Sequence, residues 1–330
     1  MLTSRTPFRI SFFGGGTDFR KYYELDYGCV LSTAIDKYIY IMANRKFDSA
    51  IQLNYRLTEI VDSVDQILHP TLREALRFSG VDRAIEVSAI ADFPSHGTGL
   101  GSSSSFVVGV LNALYAFRGE HTDPETLARA ACRIEIGVLN EPIGKQDQYI
   151  AAFGGFNLIR FNKDDSVSVE PVRIRPDTLA EFRKKLLFFH TGISRSSGRV
   201  LREQNERIGE KIEHLNRLRS LAEEAKSKLE HGDLSSFGEM LDESWQLKRA
   251  FASGVTNELI DNCYSAAKEA GATGGKVLGA GGGGFFMFYC DEEKQDAVRA
   301  ALAPMREVKF NFPSEGSRIV FNDRVVKVAP

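Results

Sequence analysis

Polar and apolar residues alternate along Arg9-Ile10-Ser11-Phe12-Phe13 and again along Glu86-Val87-Ser88-Ala89-Ile90. That two-residue period predicts half-buried strands. A β-branched and aromatic run from Cys29 to Arg45, centred on Tyr38-Ile39-Tyr40-Ile41, predicts a longer strand. Further strands are expected over Phe156–Phe161, Lys185–His190 and Phe285–Cys290. Helices are expected over Pro70–Ser79, Phe106–Tyr115 and Pro124–Leu139 and between Leu234 and Ala270, with Pro124 at a first-turn position. One long helix is expected from Ser197 to His231. Its apolar positions, among them Leu201, Ile208, Leu215, Leu218, Ala222 and Leu229, recur at helical spacing, and Gly232 follows as a stop. The polar turn Asn162–Asp165, with Pro171 and Pro176 beyond it, marks a domain border, giving segments 1–170 and 171–330. Strands and helices mix in both halves, so the class is α+β or α/β.

Three glycine-rich loops interrupt this pattern. Gly14-Gly15-Gly16-Thr17-Asp18 follows a strand directly. The segment from Asp92 to Ser105 carries Gly97, Gly99, Gly101 and a run of serines between an apolar strand and an apolar helix. Glycines let a backbone approach a ligand, and the free N–H groups at a helix start favour an anion. Serine hydroxyls can bind phosphate oxygens or hydrated Mg²⁺. The serine loop is therefore read as a triphosphate site. The third loop, Gly279-Ala280-Gly281-Gly282-Gly283-Gly284, formally matches GxGxxG but runs into a strand, whereas a dinucleotide fingerprint opens a helix. No Gly-Lys-Ser/Thr tripeptide is present, which excludes a Walker A loop.

Three charged residues stand out near these loops. Glu135 shares a helical face with Ala131 and Val138. A carboxylate there needs a partner; a metal would serve, but on spacing Arg129 or Arg133 is favoured. Asp147, in Gly144-Lys145-Gln146-Asp147-Gln148-Tyr149, is either a functional carboxylate or a helix N-cap. Arg9 projects from a strand beside the first loop, where a surface ion pair is the plain alternative.

Composition narrows the classes. With 43% hydrophobic residues in 330, the chain can bury a large core. A net charge of −2 without a basic run argues against a nucleic-acid face. No stretch of some 20 apolar residues predicts a membrane span. Cys29, Cys132, Cys263 and Cys290 are scattered, suggesting neither zinc nor a disulfide framework and fitting a reducing, cytoplasmic setting.

Taken together the motifs resemble the GHMP small-molecule kinase superfamily. The resemblance rests on Pro7-Phe8-Arg9 with Gly14–Phe19, on Pro94 with Gly99-Leu100-Gly101-Ser102-Ser103-Ser104, and on Lys276 to Gly284. It spans nearly the whole chain. Gly14–Asp18, Gly144–Tyr149 and Phe153–Asn157 are further similar to a heptose 7-phosphate kinase branch. Galactokinases carry Glu-His where this chain has Gly15 and Gly16, which leaves room for a larger sugar. Four residues separate Pro94 from Gly99, against three in most relatives.

The resemblance implies a two-domain α+β fold with its site between domains. It implies transfer of the ATP γ-phosphoryl group to a sugar hydroxyl, most simply O1 of a phosphorylated heptose, toward an activated heptose for surface polysaccharide. Gly97, Gly99, Leu100, Gly101, Ser102, Ser103 and Ser104 would hold ATP. Ser103 or Ser104 with Glu135 would hold Mg²⁺. Asp147 and Arg9 would be catalytic, Asp147 serving chemistry rather than folding. Asp18, Gly15, Gly16, Thr17, Lys145, Gly281 and Gly282 would meet the sugar phosphate, and its phosphate would find a cation among Arg20, Lys21, Lys145, Arg195, Arg199 and Lys276. The expected partner is a small molecule, with the protein a monomer or homodimer. Another sugar kinase, or a non-catalytic nucleotide or sugar binder, is the alternative.

Overall fold

The computed structural model describes residues 1–94, 97–193 and 198–323. The first half runs β1 (Leu2–Phe13), α1 (Arg20–Tyr23), β2 (Tyr27–Arg45), β3 (Ile51–Asn54), β4 (Thr58–Val61), α2 (Pro70–Ser79), β5 (Ile85–Ala91), α3 (Ser102–Arg118), α4 (Pro124–Cys132), α5 (Gln146–Phe153), β6 (Phe156–Asn162) and β7 (Val167–Pro171). The second runs α6 (Pro176–Lys184), β8 (Leu186–His190), α7 (Gly198–Glu206), α8 (Ile212–His231), α9 (Phe237–Arg249), α10 (Glu258–Glu269), β9 (Gly274–Val277), β10 (Phe285–Tyr289), α11 (Gln295–Ala301), β11 (Arg306–Glu307) and β12 (Arg318–Asn322).

β2 is 19 residues long because its two ends serve different neighbours. Its start pairs with β6 and its end with β5, while β1 pairs along most of it, all antiparallel. The first sheet has the order β12-β1-β2-β5-β3-β4, with β6 and β7 to one side. The expected border near 170 falls at the end of β7, but the last strand returns to pair with β1. The second sheet is β11-β8-β10-β9. β10 is buried along its whole length, which accounts for its unbroken run of Phe, Met and Tyr.

The expected helix from Ser197 to His231 divides. α7 ends at Glu206, a tight turn spans Ile208–Lys211, and α8 begins at Ile212. Gly209 lies in that turn, and glycine is a weak helix former. The apolar spacing is the same on both sides of the break, so periodicity alone does not reveal it. α8 then ends at Gly232 in the left-handed conformation.

An aromatic cluster joins the two halves. Phe12 of β1 stacks on Phe156 of β6 at 5.3 Å and meets Phe182 and Phe237 of the second half edge-on or tilted. Phe12, Phe182 and Phe237 are buried and Phe156 partly so, and together they fix β1, the strand bearing Arg9, against α6 and α9. The architecture is a two-domain α+β fold.

Candidate active site

Arg9 and Asp147 come from elements far apart in sequence, β1 and the first turn of α5. Nε and Nη2 of Arg9 donate to Oδ1 and Oδ2 of Asp147, both at 2.7 Å, a bidentate pair. Nη1 donates to the Gly99 carbonyl at 2.6 Å, and the Arg9 amide to that of Leu100 at 3.0 Å. Arg9 thereby ties Asp147 to the serine loop. Arg9 is only 5% exposed, so the surface-pair reading falls. Asp147 is not the N-cap of α5; Lys145 holds that position.

Gly101 stands at the start of α3 with φ of 72°. A Cβ there would lie 3.0 Å from Arg9 Cγ and 3.2 Å from Asp147 Oδ2. The start of a 17-residue helix thus meets a guanidinium and a carboxylate. N–H groups and helix dipole favour an anion at that point. Gly97, Gly99 and Gly101 all take positive φ, so the loop's course needs glycine.

Glu135 lies in a wide π-helical turn, Arg133–Val138, that continues α4. Ser103 Oγ donates to its Oε1 at 3.0 Å and Gln148 Nε2 to its Oε2 at 2.6 Å; Ser104 also hydrogen-bonds it. Among the described residues Glu135 has no ion pair, so the arginine partner favoured from spacing does not form. Arg129 and Arg133 stand six and two residues away, spacings that do not share a helix face, and Arg133 lies over the Phe78 ring instead. Burial pushes the Glu135 carboxyl up to about 7. A buried carboxylate bonded only to neutral groups, with two serine hydroxyls beside it, fits a divalent cation such as Mg²⁺. Among the described residues no three Asp, Glu, His or Cys gather as a metal cluster, so phosphate oxygens and water would complete the shell.

Asp18 is buried at the end of the first loop. Gly16 N–H donates to its Oδ1 at 3.0 Å, and Gln146 donates to Oδ2 from Nε2 at 3.0 Å and from its backbone. Burial, and then the nearby Asp147 charge, raise its pKa. A Cβ at Gly144 would collide with this carboxylate. Thr17 faces inward, bonding Gly14 and Cys29 carbonyls, and so holds the loop. Gly15 opens to free space, but Gly16 does not: Phe251 and Leu215 lie 3.1 and 3.2 Å from where its Cβ would be. The room expected at both glycines exists only at Gly15, because residues of the second half fill the other.

The third loop packs against the second. A Cβ on Gly279 would meet Gly99 Cα at 2.6 Å, and one on Gly99 would meet the Leu278 carbonyl at 2.5 Å. Gly281 and Gly282 lie on Val255, with Gly282 N–H donating to its carbonyl at 2.6 Å. Lys145 Nζ pairs with Asp165 Oδ1 at 2.6 Å and sits over the Tyr23 ring. Lys276 is buried, its ammonium donating to the Phe12 carbonyl at 2.8 Å, and burial draws its pKa down to about 7. Arg20 and Lys21 lie on the surface, and Arg195 is outside the described residues. Sequence reasoning missed Gln146 and Gln148, whose only signal was their place on either side of Asp147.

The profile of the GHMP kinases N terminal domain matches residues 64–155, and that of the GHMP kinases C terminal domain matches 225–305. The chain is a GHMP kinase. It is 28% identical to a D-glycero-alpha-D-manno-heptose 7-phosphate kinase of Campylobacter jejuni, over 96% of this chain and 97% of that protein. It is 25% identical to a galactokinase of Pyrococcus furiosus, over 95% and 96%. The crystal structure of a D-glycero-D-manno-heptose 1-phosphate kinase from Bacteroides thetaiotaomicron aligns with a TM-score of 0.80 at 26% identity, covering 97% of this chain and 98% of that one. As a GHMP kinase the enzyme takes ATP as phosphoryl donor. No helix among the described residues is long and apolar enough to cross a membrane.

Proposed function

We propose that this kinase phosphorylates the anomeric O1 of D-glycero-D-manno-heptose 7-phosphate to give the 1,7-bisphosphate. The observation that carries the reading is a carboxylate at the start of α3 with a second buried carboxylate near it. Asp147 is held by Arg9 against Gly101, and the buried Asp18 lies close enough to feel its charge. One carboxylate serves the reacting hydroxyl and the other holds the sugar. The heptose kinase likeness in sequence and structure supports the choice of sugar.

In this scheme Asp147 orients the anomeric hydroxyl and takes its proton, a modest demand because that hydroxyl is more acidic than an ordinary alcohol. The proton moves from O1 to Oδ2 as O1 bonds to the γ-phosphorus and the bond from phosphorus to the ADP oxygen breaks. Arg9 holds Asp147 in place through its bidentate contact and offsets charge on the transferring group. The N–H groups at the start of α3 hold phosphate oxygens. Mg²⁺, when held by Glu135 with Ser103 or Ser104, would neutralise charge between the β- and γ-phosphates. Arg199 and Arg202, which line a cavity of about 330 Å³ along α7 together with Gly198, Glu203 and Glu206, would be the cations offered to the substrate's own phosphate.

A panel of sugars and sugar phosphates with ATP tests the reading. Heptose 7-phosphate should exceed galactose in kcat/KM at least about a hundredfold, roughly 2.7 kcal/mol, within reach of one charged phosphate contact. The new phosphorus resonance should couple to the anomeric proton. Comparable turnover of galactose, or a phosphate on another carbon, overturns the substrate while leaving the kinase.

A further inference from the structure

Three consecutive residues at the start of α5 each hold a different part of the site. Gln146 holds Asp18, Asp147 holds Arg9, and Gln148 holds Glu135. Asp147 is accounted for by the proposed chemistry. The two glutamines are used only through their NH₂ groups. Each has a buried amide oxygen with no hydrogen-bond partner.

Gln146 is the one bonded to Asp18, the carboxylate read as holding the sugar. The orientation of its amide follows from its partner. Asp18 already accepts N–H groups from Gly16 and from the Gln146 backbone, so it presents acceptor oxygens. Turning the Gln146 amide over would set its carbonyl against that carboxylate. Nε2 therefore stays on Oδ2, and Oε1 stays free. A buried carbonyl oxygen without a donor is costly, and such an orphan in a native protein calls for an explanation. Asp18 cannot relieve it, and Asp147 is occupied by Arg9. Gly144 leaves no space on this side of Asp18, since a Cβ would strike the carboxylate.

We propose that Gln146 is a specificity residue whose Oε1 accepts a hydrogen bond from a sugar hydroxyl next to the one held by Asp18. The inference rests on Asp18 binding the sugar, as in the proposed function. An amide and a carboxylate already bonded to each other present two acceptors a short distance apart. Neighbouring hydroxyls on a pyranose ring match that arrangement. A ring lacking one of the two hydroxyls would leave an acceptor unpaired on desolvation, and the site would reject it.

The test couples a variant to a set of deoxy sugars. Wild type, Gln146→Met and Gln146→Glu are assayed with heptose 7-phosphate and with its 2-, 3- and 4-deoxy analogues. Wild type should discriminate against two neighbouring deoxy sugars by about tenfold or more in kcat/KM. Gln146→Met should erase one of these two ratios and keep the other, which belongs to Asp18. Gln146→Glu retains the acceptor oxygen and should retain both ratios despite a lower rate. If Gln146 only positions Asp18, the Met variant lowers kcat/KM by one common factor for every sugar, and the proposal is overturned. Failure of wild type to turn over heptose 7-phosphate refutes the substrate instead; the same comparison is then made with the deoxy analogues of whichever sugar in the panel reacts.

Discussion

Replacing Glu135 by glutamine probes that side chain through folding and through chemistry together. Its carboxyl sits at about 7 in the folded protein against 4.5 for an exposed glutamate, pushed up by burial. Each unit corresponds to about 1.4 kcal/mol. Between the two values the folded protein keeps a proton that the unfolded chain has released. The associated stability is fully present below pH 4.5 and is lost as pH rises through about 7. By pH 8 the loss is about 3 kcal/mol. An uncharged amide escapes it. The hydrogen bonds can also adapt, because Gln148 has a buried Oε1 without a partner and can turn over to accept from the new NH₂.

Glu135→Gln should therefore raise the melting temperature at pH 8 by roughly 5 °C, at roughly 2 °C per kcal/mol for a chain of this size. At pH 4.5 the two proteins should melt together. Thermal unfolding without nucleotide or metal, run across this pH range, measures the difference. The same change removes the charge this cluster would offer to Mg²⁺ in the proposed scheme, so the Mg²⁺ concentration for half-maximal rate should rise at least about tenfold. A variant less stable than wild type at pH 8, with an unaltered Mg²⁺ response, would refute both the burial argument and the metal role.

Asp147→Asn should lower kcat by on the order of 10²–10⁴. Against the expectation that Asp147 serves chemistry alone, it should also lower stability by about 2 kcal/mol, because Arg9 is then buried beside a neutral partner; an unchanged melting temperature would show that the ion pair does not support folding. Gly101→Ala places a methyl group against Arg9 and Asp147 at a left-handed φ; kcat/KM should fall at least about tenfold, and full activity would contradict the crowding. Lys276→Met removes an ammonium whose pKa burial draws down to about 7 from 10.5. The cost of keeping that lysine uncharged is greatest near neutral pH and fades as pH rises toward 10.5, so the variant's thermal advantage should shrink over that range; a constant gap would exclude the titration. Gly279→Ala pushes on Gly99 and should raise the KM for ATP more than that for the sugar, which steady-state kinetics with each substrate varied in turn will separate.

Much of this site was legible because its backbone demands are local. The strand bearing Arg9, the loop before α3 and the segment around Asp147 each show in short stretches of sequence, through alternation, through glycine and through an apolar run. What was not legible depends on contacts between distant residues. Arg9 and Asp147 are 138 positions apart, and only the fold decides that they pair with each other. Glu135 was read on an ideal helix, and the π turn that aims it at the serines has no signature in the apolar pattern. The break at Gly209 and the return of β12 to the first sheet are of the same kind.

The glycines show how a correct motif can carry a mistaken reason. All three loops looked like places where backbone meets ligand. Gly101 lies against Arg9 and Asp147 and Gly15 is open, so both leave the backbone free to be approached. Gly16 does not, because Phe251 and Leu215 occupy its open side. Gly279 and Gly284 do not either, because a Cβ on each would strike the serine loop at Gly99 and Thr98. The third loop is thus a backing against which the second is held, and glycine is needed there so that two backbones can touch. A loop with several positive-φ residues has many other conformations open to it. Packed against a second glycine loop and tied by Arg9 to β1, it keeps the one in which Gly101 opens α3 beside Arg9 and Asp147. The chemistry of the serine loop therefore depends on residues 180 positions away that need never meet the nucleotide.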